Sequence, residues 1–124
     1  MRVLVVEDCH DTRTILCAML RVWRHEVAEA ANGPAALASA ASFRPDVVLL
    51  DIGMSGMDGY EVARQLRALP GLEKTLLVAM TGFGQPEDVQ ACLQAGCDMH
   101  VLKPCDPLAL KQLLDLHQGK QTTT

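Results

Sequence analysis

Apolar positions in this chain fall into short continuous blocks separated by longer amphipathic stretches. Residues 3–6 read Val-Leu-Val-Val, a β-branched run of the kind found in strands covered on both faces. Residues 47–50, 75–80 and the shorter 99–102 repeat the pattern, and residues 26–30 give a weaker, alternating version suited to a less covered position. Five strands are predicted. Between them the period changes to that of helices. From Asp11 to Trp23, Ile15, Met19 and Val22 form one stripe with Leu16, Leu20 and Trp23 beside it, a face wide enough to pack on a sheet. Pro34, Pro86 and Pro107 suit first helical turns, where a missing N–H costs nothing, and Asp106 precedes Pro107 as a good N-cap. Asp58-Gly59-Tyr60-Glu61 has the form of a capping box. Strands alternating with helices imply right-handed crossovers and a parallel sheet between helical layers, an α/β architecture of five β-α units.

A chain of 124 residues that is 49% hydrophobic suffices for one compact core. The domain is expected over residues 1–118, with 119–124 as a flexible tail, because Lys120-Gln121-Thr122-Thr123-Thr124 offers no apolar anchor. The net charge of −4, with Lys and Arg scattered, gives no basic stripe, so direct nucleic-acid binding is not expected. No apolar run approaches the roughly 20 residues that span a bilayer, and the opening run is too short for a secretory leader. A cytoplasmic domain that is not itself membrane-inserted is expected. The five cysteines (Cys9, Cys17, Cys92, Cys97, Cys105) include no C-x-x-C pair and read as reduced thiols. Cys17 and Cys92 fit packing positions, whereas Cys9 and Cys105 flank candidate site residues.

In open α/β sheets, ligands bind beyond the carboxyl ends of the strands. The first strand ends in Glu7-Asp8, the third in Asp51, the fourth in Thr81 and the fifth in Lys103-Pro104. Three carboxylates, a hydroxyl and an ammonium are thereby directed to one edge. Carboxylates held that close repel one another unless a cation is present. Mg²⁺, which takes oxygen ligands and favours sites completed by phosphate oxygens, suits Glu7, Asp8, Asp51 and a backbone carbonyl. Lys103 then balances charge beside Asp51, and Thr81 offers a hydroxyl to a phosphoryl oxygen.

From about Arg2 to Leu116 the sequence resembles the response-regulator receiver family. The resemblance rests on Val5-Val6-Glu7-Asp8, Arg13, residues 45–54 leading to Gly56-Met57-Asp58-Gly59, Met80-Thr81-Gly82, Ala95-Gly96-Cys97-Asp98 and Lys103-Pro104. It implies a flavodoxin-like sheet of order 2-1-3-4-5, with Asp51 as phosphoacceptor, and Glu7, Asp8, Asp51 and the Gly53 carbonyl at Mg²⁺. It further implies Thr81 as switch hydroxyl, Lys103 as phosphoryl-binding lysine with a cis bond to Pro104, and a sensor histidine kinase as phosphohistidine donor. A downstream phosphotransfer or output protein would be the second partner, and tethering to a membrane-bound kinase is compatible with the soluble domain. The stretches 82–88 and 105–107 look most like receivers of hybrid sensor histidine kinases. Such a domain is a signalling phosphoacceptor with slow autodephosphorylation, not a metabolic enzyme. His100 stands where the family usually has the aromatic switch residue, Ser55 where it commonly has Pro, and Arg24 where Gly commonly closes the first helix.

Other readings fit less well. Phosphohydrolases resembling the haloacid-dehalogenase group carry a second Asp two residues after the nucleophile, and that position is Gly53. A dinucleotide site is opposed by Glu7-Asp8-Cys9-His10, which would repel a phosphate, and Gly82-Phe83-Gly84-Gln85-Pro86-Glu87 puts Glu87 at the third glycine. An interaction module that has given up phosphorylation would have lost Asp51, Asp8 or Lys103. Cys9-His10-Asp11 lacks the ligands to close a tetrahedral soft-metal site.

Overall fold

The computed structural model describes residues 1–54, 58–82, 86–103 and 105–122. In chain order the elements are β1 (Arg2–Val6), α1 (His10–Val22), β2 (Glu26–Ala30), α2 (Gly33–Phe43), β3 (Val47–Asp51), α3 (Gly59–Ala68), β4 (Leu76–Thr81), α4 (Pro86–Gln94), β5 (Met99–Leu102) and α5 (Pro107–Thr122). The strands form one sheet, parallel as the alternation of strands and helices predicts and of order β2-β1-β3-β4-β5 as the family resemblance implies. Every residue of β3 is buried, because it is the middle strand and helices cover both of its faces.

Alternation along the strands divides the core in two. Leu4, Val6, Val48, Leu50, Leu77 and Ala79 pack with Ala36 and Ala40 of α2, Val62 and Leu66 of α3, and Cys92 of α4. Val3, Val5, Val47, Leu49, Val78 and Met80 pack with Leu16, Cys17 and Leu20 of α1 and with Leu110 and Leu114 of α5. Cys17 and Cys92 are buried packing residues as expected.

The stripe of α1 differs from the predicted one. Leu16, Cys17 and Leu20 face the sheet, while Ile15 is 64% and Val22 77% exposed. The cause is polar. Arg13 lies three, four and seven residues before Leu16, Cys17 and Leu20, on the same face, and reaches the Glu7 carbonyl at 2.8 Å and Glu29 at 3.0 Å. Those two bonds fix the rotation of a helix whose apolar surface is wider than the sheet can cover.

Helix ends follow their local chemistry. Asn32 accepts from the Ala35 amide at 2.8 Å, Asp58 from Tyr60 at 3.0 Å and Asp106 from Leu108 at 3.1 Å. The predicted capping box at α3 closes on one side only, since the Glu61 carboxylate is bonded by Arg64 and Gln65 of its own helix. At the end of α1, Arg24 N–H donates to Arg21 and His25 N–H to Leu20, which is a Schellman motif with Arg24 at φ 70°. Gly59 opens α3 where a Cβ would lie 2.5 Å from Ile52 Cα and 2.7 Å from Ile52 O. Helix α5 continues to Thr122, beyond residue 118. Among the described residues, no helix is long and apolar enough to cross a membrane.

Candidate functional site

Register places the strand ends together. Val6 pairs with Leu50, Asp51 with Met80, and Thr81 with Leu102, so Glu7, Asp51, Thr81 and Lys103 emerge at one edge of the sheet. Asp51 and Glu7 are each 2% exposed, and Asp8 is exposed. One oxygen from each of these three acids lies within 4.8 Å of the others, the one such cluster of metal-ligating groups among the described residues. The Cys9-His10-Asp11 triplet forms none; Arg13 Nη2 lies 3.3 Å from His10 Nδ1.

Lys103 Nζ lies 2.7 Å from Asp51 Oδ1 and 3.4 Å from Glu7 Oε2. The Gly53 amide donates to the same Asp51 Oδ1 at 2.9 Å. These two donors fix the carboxylate and leave Oδ2 as the oxygen they do not engage. Cys9 N–H donates to Glu7 Oε1 at 3.2 Å, while Glu7 Oε2 is buried without a hydrogen-bond donor. Burial, and then the facing Asp51 carboxylate, push the Glu7 carboxyl above its usual range. For Lys103, burial opposes the charge, but pairing with Asp51 and Glu7 outweighs it and the net shift is upward. A buried, under-partnered carboxylate oxygen beside two further acids fits a hard divalent cation, which would supply the missing positive charge.

Thr81 is buried at the end of β4, and its carbonyl accepts from the Lys103 amide at 2.8 Å, tying the two strand ends together. His100 is half-buried opposite Ala79, and alternation puts it on the sheet face opposite Lys103. Residues 55–57, 83–85 and Pro104 lie outside the described residues, and so does the cis Lys103–Pro104 bond that the resemblance leads one to expect.

Two contributors carry no strong sequence signal. Arg13 belongs to the motif series, but its clamp on the Glu7 carbonyl is visible only in three dimensions. The Gly53 amide acts through backbone alone, and only its place two residues after Asp51 hints at it. Of the flanking thiols, Cys9 is exposed and lowered in pKa, chiefly by its hydrogen bond with the Thr12 side chain, whereas burial pushes Cys105 up.

A parallel five-stranded sheet with an acid cluster and a lysine at its carboxyl edge defines the class, and comparison with known proteins agrees. Residues 3–115 match the model of the response regulator receiver domain. The chain belongs to the response-regulator receiver family. It is 37% identical over 114 residues to a 14.6 kDa protein of the sodA1 3′ region of Leptolyngbya boryana, covering 92% of this chain and 87% of that one. Other curated relatives are matched over only 24 to 47% of their own length. Among solved structures, the Vibrio cholerae chemotaxis protein CheY4 superposes with a TM-score of 0.88 at 30% identity, covering 93% and 96% of the two chains. The receiver domain of sensor histidine kinase PA1611 from Pseudomonas aeruginosa, which holds a magnesium ion in its active site cleft, gives 0.85 at 32% identity, covering 95% and 97%.

Proposed function

We propose that the chain accepts a phosphoryl group on Asp51 from a phosphohistidine of a sensor histidine kinase, with Mg²⁺ held by Glu7, Asp8, Asp51 and the Gly53 carbonyl. The observation that carries this reading is the 2.7 Å contact of Lys103 with Asp51 Oδ1, opposite an under-compensated acid cluster. The magnesium ion in the related PA1611 receiver supports the choice of cation.

Asp51 attacks through Oδ2: the new P–O bond forms as the P–N bond of the phosphohistidine breaks, and the imidazole leaves with its electron pair. Lys103 and the Gly53 amide hold Oδ1, so the carboxylate enters the reaction already oriented. Lys103, whose pairing keeps it protonated, faces the negative charge of the transferring group. Bound Mg²⁺ supplies the remaining charge neutralisation. Slow hydrolysis of the acyl phosphate resets the domain. Thr81 and His100 are the switch pair of this reading: Ala79 and Thr81 share one face of β4, and His100 pairs with Ala79, so a movement of Thr81 towards the phosphoryl group alters the side on which His100 stands. A cytoplasmic site of action, a hybrid-kinase origin and a downstream phosphotransfer or output partner complete the proposal.

The direct test is intact mass after incubation with acetyl phosphate and Mg²⁺. A phosphoryl adduct is expected in the wild type and not in Asp51→Asn. An adduct of undiminished yield in Asp51→Asn overturns the assignment.

A further inference from the structure

A cavity of about 440 Å³ lies between α1 and the start of α5 and extends to the acid cluster. Its walls are apolar, formed by Leu16 and Met19 of α1 and Met80 of β4, with the Cys105 thiol opposite. Its floor holds Glu7 and Lys103. A cavity of this size with apolar walls and a few convergent polar groups has the anatomy of a small-molecule site.

The floor specifies the head group. Glu7 Oε2 is a buried acceptor without a hydrogen-bond donor, and Lys103 Nζ stands 3.4 Å away. A single hydroxyl can donate to the first and accept from the second. Charge argues against ionic heads. Without a metal, Glu7, Asp8 and Asp51 against Lys103 leave the floor net negative and repel an anion; a divalent cation at the acids would bring the sum to zero, so that neither an anion nor an ammonium gains the attraction needed to offset its desolvation. A neutral head carries no such cost.

We infer that this cavity is a binding site for a neutral, mostly apolar molecule bearing one hydroxyl, and that its occupant slows phosphorylation by drawing Lys103 away from Asp51. The second half rests on Asp51 being the phosphoacceptor; the first does not. Ile15, exposed and lining the cavity, stands at its mouth.

The test uses three probes with one body, 2-naphthylmethanol, 2-naphthoate and 2-naphthylmethylammonium, followed by amide NMR titration of the full chain with Mg²⁺. The alcohol is expected to shift the amides of residues 12–19 and 105 saturably, with affinity at least about tenfold above either ion, and Ile15→Trp is expected to weaken it about tenfold by filling the mouth. Equal affinity for all three heads, unchanged binding in Ile15→Trp, or shifts centred elsewhere overturns the site. With acetyl phosphate, the alcohol should slow adduct formation in the wild type but not in Ile15→Trp, whose basal rate is unchanged; equal rates with and without alcohol overturn the control. A wild type that forms no adduct at all overturns the phosphoacceptor reading and leaves the NMR result standing.

Discussion

Lys103 reaches Asp51 and Glu7 with one ammonium, 2.7 Å from the first and 3.4 Å from the second. Removing it leaves two nearly buried carboxylates facing each other. Lys103→Met should therefore slow phosphorylation by acetyl phosphate at least tenfold, a barrier increase of about 1.4 kcal/mol. It should also lower metal-free stability by about 1–3 kcal/mol, less than for a fully buried pair because Lys103 is a third exposed. Stopped-time mass spectrometry and urea melts measure the two effects.

Glu7 has its carboxyl raised above the ordinary value of 4.5 by burial and by Asp51. A raised acid makes the folded state bind more protons than the unfolded one, so its contribution to stability falls as pH rises from about 4.5 through the folded value. Glu7→Gln should thus match the wild type below pH about 4.5, and be the more stable metal-free protein at pH 7. It should also lose most of the thermal stabilisation that Mg²⁺ gives the wild type, about 1.4 kcal/mol at ten times the dissociation constant. Melting temperatures across pH, with and without Mg²⁺, check all three statements.

Arg24 occupies the left-handed position of the α1 Schellman motif at φ 70°. A non-glycine residue there costs about 1 kcal/mol, partly offset by the greater freedom of glycine when unfolded. Arg24→Gly should raise stability by about 0.5 kcal/mol, with phosphorylation unchanged. Urea midpoints decide it.

Arg67 donates to the carbonyls of Leu72, Thr75 and Gly96 and to Asp98 Oδ2 at 2.7 Å, while Asp98 Oδ2 also accepts from the Leu77 amide. One side chain of α3 therefore fastens the start of β4 and the approach to β5. Arg67→Met should cost about 2–4 kcal/mol, because several half-buried carbonyls lose their donor together. Equilibrium urea unfolding gives the value.

The strands were legible because the sheet is covered on both faces, so runs such as 3–6 and 47–50 carry no solvent alternation to confuse them. The candidate site was legible for the same reason: the four apolar runs 3–6, 47–50, 75–80 and 99–102 each stop at a polar residue, the second strand alone contributing none, and the parallel topology brings those stops to one edge. Helix rotation was not. Ile15 and Val22 satisfy the helical period as well as Leu16 and Leu20 do, and the choice is made by Arg13 bonding to Glu7 and Glu29, residues of separate elements. Glu61 similarly had two local partners available, and its own helix supplied them. The Gly53 and Cys9 amides escaped because every residue type carries one.

Gly59 opens α3 against the backbone of Ile52, the residue that follows Asp51. Rigid backbone cannot rotate aside as a side chain can, so even the single methyl of alanine has no place there. In a library of all substitutions across the chain, position 59 should behave as a one-letter position, although it touches none of the reacting groups. Its losses would resemble those at Asp51 in a signalling screen and differ from them in abundance, because an altered Asp51 leaves a folded chain and an altered Gly59 does not.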